Sequence, residues 1–432
     1  MKNINICIAG LGTVGSNVIL SLNENNDYIN SKANLSFNIL GVSAKNKFKK
    51  RICDIKNFTW CENPLDLLNI KDCNVLIELI GEEKGLSFDL VKQALEKKIH
   101  VVTANKALLA MNGSELFKIA EHNNVLLLYE AAVAGGIPII KSIKNSIYLD
   151  KINKISGILN GTTNFILTEM EKFNLDFQEI LKRAQSNGYA EADPTNDIEG
   201  IDSAHKLTLL STLCFGSEIN FKNNKFSGIG NIHIEDIHNA KKLGCRIKLI
   251  SESQIIEGKI INVTEPRLIK IENPLANVDG VINAINVETE HLQSLFYEGE
   301  GAGGKATASA IISDLFEISN NSKSLSLGYK TSELISFQSF DLMEKISPYY
   351  LRIISKDLTG VLSKITSFLN ESGISIETIL QIPENQNNNN SIPIIIVTHD
   401  TKKSSLMIAL EKIEKQEFIL EKIVLINMDK NY

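Results

Sequence analysis

The sequence predicts an α/β protein in three parts: a doubly wound parallel-sheet domain, an α+β domain and a small C-terminal βαββαβ module. Three observations carry this reading. The chain opens on a short apolar strand, Ile4 to Ala9, followed at once by G-L-G-T-V-G and the helix-like SNVILSL. Buried-type strands NVLIELI (74–80) and IHVVT (99–103) then alternate with helical patterns such as LVKQALEKK, as in a doubly wound sheet. From Tyr349 onward, strands and helices follow in the order βαββαβ.

Each element of the first domain has a chemical reading. Gly10 permits a tight turn, Gly12 lets the backbone approach a pyrophosphate, and Gly15 allows close helix–strand packing. The helix N-terminus that follows faces the phosphates. Strand before and helix after make this a Rossmann-type dinucleotide site over residues 1–138. The next strand, SFNILGV (36–42), runs into Ser43, Ala44 and Lys45, where an NAD-preferring site usually carries an acid. Lys45, Lys47, Lys49, Lys50 and Arg51 instead suit a 2′-phosphate, so NADP is expected over NAD. In T-A-N-K, Lys106 lies just beyond a strand's C-terminal end, where ligand crevices form in such sheets.

The chain has 432 residues, 43% hydrophobic and 22% charged, with a net charge of −6. That is an ordinary globular composition, and without a basic face it gives no reason to expect nucleic acid. Six cysteines without metal-site spacing read as reduced, packed thiols of a cytoplasmic protein. No apolar run approaches the ~18 residues of a membrane span. The tract Asn387–Asn390 is compositional bias.

The middle of the chain, about 139–304, mixes strands (KINKISGIL, GKIINVTEPRLI, GVINAINVET, LQSLFYEG) with helices near 164–184 and 202–215. This suits an α+β domain whose open sheet can pack against a second copy. A helix near 305–320 is expected to return to the first domain, and a Ser-rich linker (319–346) precedes the last module (347–432). Within this middle region the informative stretch is NGYAEADPTNDIEGIDSAHKLTL. Asp202 and Lys206 fall four apart on one helix face, and Glu191, Asp193, Asp197 and Glu199 crowd the loop before them. By spacing alone this is a surface ion pair worth roughly 0.2–0.5 kcal/mol; the rest of the chain argues for more. A lysine held by a carboxylate can stabilise charge on a carbonyl oxygen and give it a proton. His205 points about 100° away around the helix and reads as packing.

Six segments, GLGTVG, VVTANK, YEAAVAGGIPII, GILNGTTNFIL, GYAEADP…D…D…K and GEGAGGKATASAIISDL, occur in an order that resembles homoserine dehydrogenases over nearly the whole chain. The resemblance implies reversible NAD(P)H-dependent reduction of L-aspartate 4-semialdehyde to L-homoserine, towards threonine and methionine. It implies that Gly10, Gly12, Thr13, Val14, Gly15, Lys45, Lys106, Gly188, Gly301 and Gly303 meet the cofactor. It also implies that Glu191, Asp197, Asp202, Asn160 and Thr162, with Gly161, line the substrate site. Lys206 is the implied proton donor, with Asp202 and Lys106 beside it. Glu130, Val133, Gly135 and Ile137 match positions that bind a monovalent cation, Na+, largely through backbone carbonyls. Two positions depart from the pattern: Ala306, often Pro, and Glu82, usually Gly.

The C-terminal module, with D-x-x-G between its first strand and helix, resembles a ferredoxin-like ACT domain. That implies feedback control by an amino acid, with threonine the expected effector, at Asp357, Gly360 and Val361. A homodimer or homotetramer is expected. The rival readings are another Rossmann–ACT dehydrogenase, which would want a histidine base with a carboxylate partner, and a non-catalytic amino-acid sensor. Intact Lys106, Glu191, Asp202 and Lys206 argue against the sensor.

Overall fold

Strand β1 (Lys2–Ala9) and its parallel neighbours are apolar on both faces, so a two-sided helical cover is forced on them. This computed structural model describes residues 2–147, 149–320, 325–381 and 391–429. The tract Asn387–Asn390, part of the Ser-rich segment and the last residues of the C-terminal module lie outside them.

β1 pairs with β2 (Leu35–Ser43) and β4 (Val75–Glu78), and β3 (Thr59–Trp60), β5 (His100–Thr103) and β6 (Leu127–Leu128) complete an all-parallel sheet ordered 3-2-1-4-5-6. Helices α1 (Thr13–Glu24), α2 (Asn26–Ala33), α3 (Leu86–Glu96) and α4 (Lys106–His122) are its crossovers. A glycine-sharp turn and the absence of any side-chain cap start α1, whereas Asn105 caps α4 by accepting the Leu108 amide.

The second sheet begins at β7 (Ile152–Ile158), after the one-turn α5 (Ile139–Lys141). Helices α6 (Gly161–Phe173), α7 (Phe177–Ser186), α8 (Thr195–Ile198) and α9 (Ile201–Phe215) follow, then β8 (Lys225–Phe226) and α10 (Ile234–Lys242). The long hairpin β9 (Cys245–Ile256) and β10 (Lys259–Lys270) leads to β11 (Ile282–Thr289) and β12 (Ser294–Glu300). α9 is buried along nearly its whole length, its polar side chains included, with Gly200 and Gly216, both left-handed, at its two ends. α11 (Gly304–Ser319) packs back on α1, where Leu11, Val18 and Ile19 share a core with Ala308, Ile311 and Leu315.

The sequence reading omitted β9. Its alternation is masked by Ser251, Glu252 and Ser253, which are buried but hydrogen-bonded to Thr264, Arg267 and Asn262. The segment read as a linker is stitched to the catalytic domain by bridges at Ser217–Ile335 and Ile260–Ser339.

After β13 (Ile346–Ser347), the C-terminal module runs β14 (Tyr349–Lys356), α12 (Val361–Glu371), β15 (Ile376–Gln381), β16 (Ser391–Thr398), β17 (Thr401–Lys402), α13 (Lys403–Glu414) and β18 (Val424–Met428). It is not a detached unit. β18 pairs in parallel with β10 at Arg267–Asn427 and Leu268–Met428, so one sheet runs β12-β11-β7-β9-β10-β18-β14-β16-β15 across both domains. Tyr350, Ile395, Val397, Ile426 and Met428 share a core with Phe165, Ile166 and Leu249 of the catalytic domain.

Candidate active site

The glycine loop is shaped by contacts a side chain would break. Gly10 has φ +103° and would drive a Cβ to 2.4 Å from the Leu79 carbonyl oxygen, and a Cβ on Gly15 would sit 2.1 Å from that of Gly10. Gly12 faces open space, with nothing within 4 Å of where its Cβ would be. Thr13 and Val14 open α1 behind it, leaving backbone N–H groups at a helix end for an anion. A pyrophosphate-sized group fits this cradle.

Around the cradle, Arg51 is already engaged: its guanidinium donates to the carbonyls of Leu11, Asn46, Lys47 and Lys49. It therefore folds the basic loop onto the glycine loop. Lys45 stays 92% exposed and lies 3.6 Å from the Glu82 carboxylate. The backbone at Glu82 is fixed, its carbonyl accepting Asn105 Nδ2 at 2.7 Å. Gly301 is wedged, since a Cβ there would meet the Asn283 amide and one on Gly135 would meet the Gly301 carbonyl. Gly303 (φ +119°) then leads into α11, where a Cβ on Gly304 would meet Asn17 and Thr13. The second glycine loop therefore abuts the start of α1.

Asp202 is the hub of the catalytic side. Its Oδ2 accepts Lys206 Nζ at 2.6 Å and Asn160 Nδ2 at 2.9 Å, and its Oδ1 lies 3.1 Å from Lys106 Nζ. Lys206 also donates to the Leu159 carbonyl at 2.7 Å. Asn160 caps α6 through the Thr163 amide and reaches Asp197 Oδ1 at 2.7 Å. Three elements from two domains thus converge on one carboxylate: the first turn of α4, the start of α6 and the first turn of α9. Burial opposes charge on Asp202, but Lys206 and then Lys106 outweigh it and hold the carboxyl well below the usual range. Asp202 in turn raises Lys106 despite its desolvation, while burial and then Asp202 raise Asp197.

Glu191 lies in the exposed loop after α7, near enough for its charge to act on Lys106. Gly188 (φ +75°) turns that loop, and Thr162 Oγ1 donates to the Tyr189 carbonyl at 2.6 Å. Asp193 bonds Thr195 within its own turn. His205 stacks on Phe221 with ring centroids 4.5 Å apart, a packing role. Sequence reasoning missed Glu78. Fully buried at the end of β4, it accepts Thr103 Oγ1 at 2.7 Å and the amides of Ile80 and Gly81, tying together the two loops that flank the cleft. An acid inside the apolar run NVLIELI was the available signal.

In the loop Glu130–Ile137, Ala134 and Gly135 both have positive φ and turn the chain sharply. The Glu130 carboxylate accepts the amides of Ile140 and Lys141. The backbone carbonyls of Val133 and Gly135 are neutral oxygen donors of the kind that suit a monovalent cation. Among the described residues no group of three or more His, Cys, Asp or Glu side chains is placed to hold a metal.

The pattern defining the family described as "Homoserine dehydrogenase, NAD binding domain" matches residues 10–130, "Homoserine dehydrogenase" matches 138–316, and "ACT domain" matches 349–418. A homoserine dehydrogenase of Neisseria gonorrhoeae is 37% identical over 99% of both chains. The crystal structure of one from Thiobacillus denitrificans superposes with TM-score 0.92 at 36% identity, covering 99% of both chains. A hyperthermophilic archaeal homoserine dehydrogenase mutant in complex with NADPH is 26% identical with TM-score 0.63, over 74% of this chain and 98% of its own. With a dinucleotide cradle at one wall of the cleft and two lysines on one carboxylate at the other, matched end to end by such relatives, this chain belongs to the homoserine dehydrogenase family of NAD(P)-dependent oxidoreductases, in its form with a C-terminal ACT domain.

Proposed function

We propose that this homoserine dehydrogenase interconverts L-aspartate 4-semialdehyde and L-homoserine with Lys206 as proton donor and NADP as preferred coenzyme. The observation that carries the proposal is the grip of Lys206, Lys106 and Asn160 on the single buried carboxylate of Asp202. The bound dinucleotide supplies the hydride in reduction and accepts it in oxidation. As the aldehyde carbon takes the hydride, charge grows on its oxygen, and the Lys206 ammonium stabilises it and passes a proton to it. Lys206 is returned to its ammonium form by a proton from solvent.

Lys106 shares the electrostatic work at the coenzyme side of the cleft. Glu191, with Asp197 in support, takes the substrate ammonium, while Asn160 and Thr162 line the pocket and Gly188 shapes its lip. NADP preference is supported by Lys45, free to swing from Glu82 to a 2′-phosphate, and by the absence of an acid after β2. Gly10, Gly12, Thr13, Val14, Gly15, Gly301 and Gly303 would hold the dinucleotide. Glu130, Val133, Gly135 and Ile137 would hold Na+ by backbone carbonyls and stiffen the turn against Gly301. Six free thiols suit a cytoplasmic enzyme, and the half-exposed edge strand β12 suits a homodimer or homotetramer. An amino-acid effector, threonine among the candidates, is assigned to the ACT module with Asp357, Gly360 and Val361 at its first turn.

The test is oxidation of L-homoserine by the purified chain with NADP and with NAD, with and without Na+ and threonine. Turnover with a lower KM for NADP is expected. Equal efficiency with NAD would remove the role given to Lys45.

A further inference from the structure

Gly299 and Gly301 fall two apart at the end of β12 and so share one face. That face is bare of its own side chains because two others lie on it. A Cβ on Gly299 would come within 3.2 Å of Ile137 Cγ1, at the end of the Glu130–Ile137 loop, and one on Gly301 would meet the Asn283 amide. Asn283 stands opposite Gly299 in the β11–β12 pairing, so its side chain reaches diagonally across to Gly301. On the other side of β11, Ala284 pairs with Ile158, one residue before the Leu159 carbonyl that accepts Lys206. Asn283 thus lies between the second glycine loop and the strand that supports the catalytic lysine.

Asn283 is 1% exposed, yet among the described residues neither its Nδ2 nor its Oδ1 has a hydrogen-bond partner. Other buried asparagines are paired: Asn160 with Asp197 and Asp202, Asn164 with Val278 and Lys248, Asn262 with Ser253. A buried amide left unpaired costs more than an apolar side chain of the same shape, which leucine would provide. The amide is therefore a disadvantage in this state, and it gains only where backbone groups come to it. The backbone packed against it is that of Gly301, and the adjoining Gly303 (φ +119°) can turn without a Cβ to obstruct it.

We infer that Asn283 is a positioning residue for the coenzyme: as the dinucleotide draws the 301–303 loop into place, the Asn283 amide pairs with peptide groups of that loop and holds it there. The inference rests on the reading that Gly301 and Gly303 meet the coenzyme, and adds a residue that acts on the coenzyme through them.

The experiment compares the parent chain with Asn283→Leu by NADPH fluorescence titration, thermal melting, homoserine oxidation and hydrogen exchange. Leucine keeps the shape of the side chain and drops both polar atoms. Without coenzyme, the variant is expected to melt at the parent's temperature or above it. It should bind NADPH at least tenfold more weakly, with kcat at saturating coenzyme held within about threefold. In the parent, NADPH should slow amide exchange at residues 299–303, and in the variant that slowing should be lost. A lower melting temperature with unchanged NADPH affinity would make Asn283 a packing residue, or one satisfied by a buried water, and overturn the inference. Should the leucine variant not fold, Asn283→Ala is judged on NADPH protection at 299–303 relative to that at 10–15. A purely structural role leaves that ratio at the parent's value and overturns the inference, whereas its fall supports it. Parent protection at 10–15 with none at 299–303 also overturns it, and leaves the first glycine loop's coenzyme role standing. A parent chain that binds no NADPH overturns both.

Discussion

Asp202 is a carboxylate that two ammonium groups compete for, and removing either lysine leaves a different remainder. Without Lys206 the carboxylate keeps Lys106 and Asn160, so the fold should tolerate the change while the proton source is lost. Lys206→Met is therefore expected to lower kcat by about 10²–10⁴, the usual range for a general acid, with little change in the KM for coenzyme. Lys106→Met, at a side chain 39% exposed, should cost less in kcat and more in coenzyme KM. Steady-state kinetics on both variants decide the assignment, and the opposite ranking would make Lys106 the donor. The glycine loop allows a similar separation of fold from function. Gly15→Ala meets backbone 2.1 Å away and should destabilise the apoprotein, whereas Gly12→Ala meets nothing. The latter should keep the melting temperature and raise the coenzyme KM tenfold or more. Most of this scale is written in the sequence, because i,i+4 spacing and G-x-G-x-x-G are local patterns. Glu78 and the Asn160–Asp202 bond were not, since nothing local reveals which buried acid a distant amide will reach.

At the scale of elements, α6 is held in place from beneath. Lys248 on β9 is 1% exposed and donates to Asn164 of α6, to the Val278 carbonyl and to Asp279. Burial and the neighbouring Arg246 bring its ammonium down to about 8 from the ordinary 10.5. The sign follows from proton counting. Between pH 8 and 10.5 the unfolded chain keeps this proton and the folded chain sheds it, so this group adds stability as pH rises, by up to about 1.4 kcal/mol per pH unit. Lys248→Met should remove that component, flattening the difference in melting temperature between pH 7.5 and 10 relative to the parent chain. Identical pH curves would mean that Lys248 is ordinary in its titration. β9 itself escaped the sequence reading for the reason that makes it interesting. Both its faces are covered, and its buried positions carry Lys248, Ser251, Glu252 and Ser253, which a periodicity argument counts as solvent-facing. They are buried because their partners, brought from β10 and α6, satisfy them.

The catalytic and C-terminal domains share one sheet where the sequence suggested two, because strand periodicity encodes which face is buried and not which strand lies alongside. At the seam, Arg267 is buried between Glu252 at 2.6 Å, Glu265 at 3.2 Å and Asp429 at 3.3 Å, and Asn427 reaches Glu265. Tyr350, Ile395, Val397, Ile426 and Met428 cover catalytic-domain apolar surface there. At about 1.5–3 kcal/mol for each large apolar side chain, those five contribute on the order of 10 kcal/mol, comparable to the net stability of a typical domain. The C-terminal module is thus a structural support of the catalytic domain. A chain ending at residue 346 is expected to aggregate or to lose most homoserine oxidation, although every proposed catalytic residue remains. Arg267→Met within the full chain should do less harm, since a well-packed apolar replacement removes the buried cation but strands Glu252 with Lys154 and Lys345 still near it. Size-exclusion chromatography and thermal melting of both proteins give the measurement. A monodisperse, fully active 1–346 fragment with an unchanged melting temperature would show that the seam does not support the catalytic domain, and would free the module to move against it as a unit.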